Sequence, residues 1–172
     1  MKKIKKPERK KATKKGVDRV EELLLSALGS ELMAMDFYQK AAEKAQSQAG
    51  KRFFAEMAEF EQHHFEHIKS TIYSMNTKAK LQLYVPISME GSIKPEVSGE
   101  FEPNKDEIID VLIIAIKAEK DAKARYLKIS KMFSDKESKQ IFLNLAEEER
   151  LHQNLLEQQF YQMSNKGLII WE

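Results

Sequence analysis

An internal duplication limits what this chain can fold into. Sliding the 172-residue sequence against itself by 88 positions lays residues 18–75 on 106–163 without a gap, and 15 of the 58 positions are identical. Unrelated segments of this composition would share about four or five. The matches include Glu31/Glu119, Ala34/Ala122, Tyr38/Tyr126, Phe54/Phe142, Ala58/Ala146, Glu59/Glu147, Glu61/Glu149 and His64/His152. A helical core calls for repeated apolar residues. Repeated Glu and His need another cause.

Each copy reads as a helical hairpin. From about Asp18, apolar residues recur at helical spacing through Leu24, Ala27, Leu28, Ala34, Met35, Tyr38, Ala41, Ala42 and Ala45, until Ser47-Gln48-Ala49-Gly50 breaks the pattern. Phe54, Met57, Ile68 and Ile72 mark the inner face of a second helix. A third is expected to start at Asn104, with Glu107 completing a capping box, and to bury Ile108, Val111, Leu112, Ala115, Ala122, Tyr126 and Ile129. Ser134 with Glu137 is read as the capping box of a fourth helix, lined by Phe142, Leu145, Leu156 and Phe160 and stopped at Gly167. Short turns make each pair antiparallel. Residues 76–103 hold Pro86, Pro95, Pro103, Gly91 and Gly99 and form a long crossover, in which Leu81 to Ile87 reads as a short extended piece. The expected fold is all-α: a ferritin-like four-helix bundle of two antiparallel hairpins joined by a long crossover.

Charge divides the chain further. Residues 1–15 carry nine basic residues and one acid, leaving a formal −6 on the remainder although the total is +2. Residues 1–16 are therefore expected to be a disordered basic arm ahead of a bundle over 17–172. The arm could attract nucleic acid or an anionic surface, but it has no interleaved aromatics, so a solvated tail is the favoured reading. No apolar stretch follows its charges and no run is long enough to span a bilayer, which makes the cytoplasm the expected location. With no Cys, disulfides, Cys-bound zinc and iron–sulfur clusters are excluded.

The matched polar residues fall on the apolar stripes. Glu31, Ala34 and Tyr38 share a helix face, as do Glu119, Ala122 and Tyr126. Glu61 and His64 lie in line with Met57 and Ile68, and Glu149 and His152 lie between Leu145 and Leu156. Four carboxylates and two imidazoles thus point inward from four helices. Burying such charges without compensation costs several kcal/mol each, whereas a pair of metal ions removes the cost. One Glu from each of two helices plus Glu-x-x-His from each of the others is a di-iron or di-manganese ligand set. An acidic bundle with solvated Glu and His is the competing reading, and the position of these Glu on the apolar stripes argues against it.

At these residues the chain resembles the rubrerythrin group of the ferritin-like superfamily. The motifs are Glu31-x-x-Ala34-x-x-x-Tyr38, Ala58-Glu59-x-Glu61-x-x-His64, Glu119-x-x-Ala122-x-x-x-Tyr126 and Ala146-Glu147-x-Glu149-x-x-His152. The resemblance implies two iron ions (Fe2+/Fe3+), with manganese or zinc as substitutes. It makes Glu61 and Glu149 bridging ligands, Glu31 and Glu119 terminal ligands, and His64 and His152 one ligand to each metal. Tyr38 and Tyr126 would hydrogen-bond the carboxylates from behind. Rubrerythrins also carry a Cys-bound iron in a rubredoxin-like domain and usually a further Glu where this chain has Ala122. Electrons are accordingly expected from an external donor such as a rubredoxin-like protein. The expected activity is reduction of hydrogen peroxide or dioxygen in oxidative-stress protection, with a ferroxidase or iron-handling protein, or a non-redox metal-binding bundle, as alternatives.

Neighbouring features have plainer readings. His63 should point off the ligand face, while His67, one turn beyond His64, lies where it could approach the ligands from outside. The helical Met residues are packing. Leu168, Ile169, Ile170 and Trp171 form an apolar tail expected to dock on the bundle or on a second subunit, the latter in keeping with the homodimers common in the family.

Overall fold

The computed structural model describes residues 14–77 and 99–171. Four long helices make the body: α1 (Lys14–Lys44), α2 (Gln48–Thr77), α3 (Lys105–Ser130) and α4 (Lys136–Lys166). Two short strands, β1 (Glu100–Phe101) and β2 (Leu168–Ile169), pair antiparallel, with Glu100 opposite Ile169 and Phe101 opposite Leu168. The expected all-α bundle of two hairpins is the observed architecture. Helix α1 starts at Lys14, so residues 14–16, read from sequence as part of the arm, form its first turn. Lys is a good helix former, and a helix anchored by packing further along can propagate back through it. The remainder of the arm and the extended piece over Leu81–Ile87 lie outside the described residues.

Only Ala45, Gln46 and Ser47 separate α1 from α2, which makes that pair antiparallel. The Asn104 side chain at the start of α3 donates to the Lys44 carbonyl at the end of α1, 2.9 Å away, so α3 runs antiparallel to α1. The chain leaves α2 at Thr77 and re-enters beside the opposite end of that helix. There Glu100 accepts from the backbone N–H groups of Gln48 and Ala49 at 3.2 and 2.7 Å. Glu102, wholly buried, accepts from Gln46 N, Ser47 N and Ser47 Oγ. These two carboxylates satisfy donors that a helix N-terminus otherwise leaves orphaned, and their charge suits the positive end of the helix dipole. Residues 100–102 are thereby pinned to the start of α2.

Capping differs from the sequence expectation in two places. Asn104 makes no side-chain cap on α3, because its amide is engaged with Lys44 of the other hairpin. The cap of α4 is Asp135 rather than Ser134: its carboxylate accepts from Ser138 N at 2.7 Å. The offset of 88 lays Asp135 on Ser47, whose hydroxyl accepts from Gly50 N at 2.9 Å, so the duplication extends to the caps. Gly167 ends α4 at φ 66°, the left-handed conformation expected of it.

The apolar tail docks on its own bundle. Ile169, Ile170 and Trp171 are buried, the Trp171 ring meets Phe53 edge-on at 5.1 Å, and Gln159 exchanges two hydrogen bonds with the Ile170 backbone. Helix α1 neighbours α3, and α2 neighbours α4. The core divides into two clusters. One contains Phe53, Phe54, Met57, Ile108, Leu112 and Leu156. The other contains Leu24, Ala27, Ile68, Ile129, Phe142 and Leu145. Between them, halfway along all four helices, lies a polar layer.

Candidate metal centre

That polar layer consists of the six residues marked by the duplication. Glu31 on α1, Glu61 and His64 on α2, Glu119 on α3, and Glu149 and His152 on α4 are each no more than 3% exposed. Helical periodicity brings them inward: each lone Glu and each Glu-x-x-His pair continues a stripe whose next turns on either side are apolar. The geometry sorts them into two overlapping sets. Glu31, Glu61, His64 and Glu149 can hold one metal ion, and Glu61, Glu119, Glu149 and His152 a second, with donor atoms in each set within 4.8 Å of one another. Glu61 and Glu149 belong to both.

Apart from the hydrogen bond between His152 Nδ1 and Glu149 Oε2, distances within each set suit a shared ion better than direct hydrogen bonds. His64 Nδ1 lies 3.4 Å from Glu31 Oε2, 3.5 Å from Glu61 Oε2 and 3.2 Å from Glu149 Oε1. His152 Nδ1 lies 3.2 Å from Glu149 Oε2, 3.7 Å from Glu61 Oε1 and 3.9 Å from Glu119 Oε2. Ligands at bond lengths of about 2.1 Å around one ion stand about 3.0–3.4 Å apart, so the His64 set is at that spacing and the His152 set slightly wider. Glu31 Oε2, Glu61 Oε1, Glu149 Oε1 and His64 Nδ1 are buried with no hydrogen-bond partner among the described residues. Such atoms are costly to leave unmatched, and all four are donors in the sets just named. The residues therefore fit a pair of metal ions.

The electrostatics without metal show the same strain. Burial, then the charges of Glu119 and Glu149, push the Glu61 carboxyl well above the usual range. Burial and the Glu149 charge lift Glu119 to about 7. For His152 burial works downward, but hydrogen bonds and charges from Glu119 and Glu149 outweigh it and raise the imidazole to about 10. His64 is likewise penalised by burial, yet the charge of Glu149 and the bond to Glu148 hold it well above its ordinary value. Burial raises Glu149, but the charge of His64 and the bond and charge of His152 keep it far below the carboxylate range. Protons thus occupy, in part, the role that cations would fill.

Both tyrosines are buried beside the layer. The Tyr38 hydroxyl donates to Glu119 Oε1, and burial with the charges of Glu119 and Glu61 raises its pKa well above 10. Burial and the charge of Glu31 do the same to Tyr126. The matched Glu59 and Glu147 are exposed, and Glu147 pairs with Arg150 at 2.6 Å. His63 and His67 are half-buried and meet ring to ring at 4.5 Å. Burial, then the charges of His63 and His64, lowers His67 to about 4.

Sequence reasoning missed three residues at this site. His64 Nε2 donates to Glu148 Oε2 at 2.9 Å. Phe60 stacks on the His152 ring at 5.0 Å. Arg125 Nη1 stands 3.8 Å from Glu31 Oε1. The available signal was mismatch rather than identity, since the offset of 88 lays Phe60 on Glu148 and Phe37 on Arg125. A cleft of about 540 Å³ between α1 and α3 leads inward from exposed Met33, Ile113 and Ile114 to buried Tyr38, Glu31, Glu61 and Glu119.

Comparison with known proteins agrees with this geometry. Residues 22–100 and 110–169 match the family model described as Rubrerythrin. A solved structure of a hypothetical protein from Pyrococcus furiosus is similar at 30% identity and a TM-score of 0.68, over 85% of this chain and 90% of that one. The fold is also shared with a two-domain protein from Anabaena variabilis containing DJ-1/ThiJ/PfpI-like and ferritin-like domains. That likeness has 17% identity and a TM-score of 0.63, over 87% of this chain and 38% of the other. No protein of curated function matches. Helix by helix and by matched residues, the chain belongs to the rubrerythrin family.

Proposed function

We propose that this protein is a di-iron carboxylate oxidoreductase that reduces hydrogen peroxide, or dioxygen, and so protects against oxidative stress. The observation that carries the reading is the sharing of Glu61 and Glu149 between two four-residue donor sets. Two ferrous ions held by these sets would supply the pair of electrons that, with two protons, converts one peroxide to two waters. In this reading Glu61 and Glu149 would serve both ions, Glu31 and Glu119 would serve one ion each, and His64 and His152 would each hold one ion. Tyr38 keeps Glu119 aimed through its hydrogen bond. The apolar clusters above and below exclude bulk water. The cleft between α1 and α3 offers a small oxidant a way to the carboxylates.

An external one-electron donor, for which a rubredoxin-like protein is suited, would then re-reduce the centre. A homodimer is the expected assembly. Rapid mixing of the anaerobic diferrous protein with peroxide, and separately with oxygen, tests the reading. Oxidation faster with peroxide than with oxygen supports it. Accumulation of ferric mineral points instead to iron handling, and no reaction with either oxidant refutes a redox role.

A further inference from the structure

The two halves of the site match in their six donors and differ in what stands behind them. On the His64 side, Nδ1 faces Glu31, Glu61 and Glu149, and Nε2 faces Glu148 Oε2 at 2.9 Å in a buried contact. A ring whose Nδ1 lone pair serves a metal carries its proton on Nε2, so this bond has His64 donating and Glu148 accepting. On the His152 side the residue equivalent to Glu148 is Phe60. Its ring lies on the imidazole with centroids 5.0 Å apart and planes at 29°. Phenyl supplies no acceptor.

A carboxylate accepting from a metal-bound imidazole fixes the ring and makes it a stronger donor, and losing such a partner costs about 10–100-fold in affinity. Two groups oppose it: Arg125 Nη1 lies 3.8 Å from Glu31 Oε1 and draws negative charge from the same side, and on the other side the Tyr38 hydroxyl donates to Glu119 Oε1. Arg125 is the weaker influence, because its side chain is 28% exposed, hence screened, and its Nη1 has no hydrogen-bond partner among the described residues. Tyr38 steadies a carboxylate ligand through a neutral donor, whereas Glu148 sets a full negative charge against a metal-binding imidazole.

We propose that Glu148 is a positioning residue that makes the two metal positions unequal, so that the one built on Glu31 and His64 binds its ion more tightly and fills first. The inference rests on the two-metal reading above. Two ions that differ in affinity also differ in electron density, which gives a centre with two similar donor sets a fixed polarity from one hairpin to the other.

The test is metal titration of the full chain without oxidant. Anaerobic addition of Co2+ to metal-free protein, followed by visible absorption, should show two steps separated by at least about tenfold in affinity. With Zn2+ as a diamagnetic probe, imidazole 15N resonances should shift for His64 in the first equivalent and for His152 in the second. Glu148→Leu should weaken the first step by about 10–100-fold and leave the second within about threefold. Glu148→Gln, which keeps a neutral acceptor, should recover part of the loss. Phe60→Glu provides the reciprocal gain: it should tighten the His152 step, which general damage to the fold cannot imitate. A single step with both rings responding together, a response from His152 first, or equal weakening of both steps by Glu148→Leu overturns the proposal while leaving the two-metal reading standing. Failure to bind metal at all overturns both.

Discussion

Raising the pH should destabilise the metal-free protein and stabilise the metal-loaded one. In the folded metal-free chain Glu119 is lifted from 4.5 to about 7. Unfolded, it returns to its ordinary value, so between those pH values the folded state binds more protons and stability falls as pH rises. At about 1.4 kcal/mol per pH unit, the loss is about 3 kcal/mol. Glu61 is displaced in the same direction and titrates together with Glu119. His152 adds to the decline above pH 6.5, since the folded ring keeps its proton to about pH 10 and the unfolded ring does not. Glu149 is ionised in both states throughout the window and does not contribute to the slope. Urea denaturation from pH 5 to 8 should therefore show the metal-free protein losing at least the about 3 kcal/mol that Glu119 contributes. With metal bound the sign reverses, because cations need the deprotonated ligands and bind better as protons leave. Glu119→Gln should remove most of the metal-free slope. A metal-free profile that is flat or rising over this range, or a Glu119→Gln profile as steep as the parent, would show that these carboxylates do not carry the strain assigned to them.

Other perturbations act at separate points. Glu61→Ala or Glu149→Ala should abolish paired metal binding while single-ion binding persists, and a spin-coupled di-iron spectrum in either variant contradicts the bridging assignment. Tyr38→Phe removes the hydrogen bond that aims Glu119 and should weaken metal affinity by about 10–100-fold in an anaerobic titration, with the loss at the His152 position. Glu102→Ala strands the buried N–H groups at the start of α2 and should cost about 2–4 kcal/mol in a denaturant melt; a cost under about 0.5 kcal/mol would mean that water replaces the cap. Gly50→Ala sets two effects against each other. Helix propensity favours Ala by about 1 kcal/mol, but the added Cβ would stand 2.6 Å from Glu102 Oε2 and 3.0 Å from Ala45 Cβ. Overpacking costs about 1–3 kcal/mol, and the net change should be destabilising.

Local rules made much of this protein readable in one dimension. A period of 3.6 residues assigns each side chain to a face, so Glu31, Glu61, His64, Glu119, Glu149 and His152 could be placed inward from their apolar neighbours alone. The 88-residue offset then paired them, and Gly167 marked the end of α4 through its own backbone freedom. Tertiary structure decided whatever depends on a partner distant in the chain. Asn104 looked like a local cap but serves Lys44, 60 residues earlier. Glu100 and Glu102 hold the start of α2 across more than 50 residues. The tail could have covered a second subunit, and Phe53 with Gln159 keeps it at home. Glu148 is the sharpest case. It sits one position, or about 100° of helix, from the ligand Glu149, where periodicity cannot distinguish a solvated acid from a buried one. Only the packing of α2 against α4 brings His64 Nε2 to it. Helical period is a property of the chain itself, and so the sequence carries the symmetry of the site. Contacts between helices 84 residues apart belong to the folded state, and they supply its asymmetry.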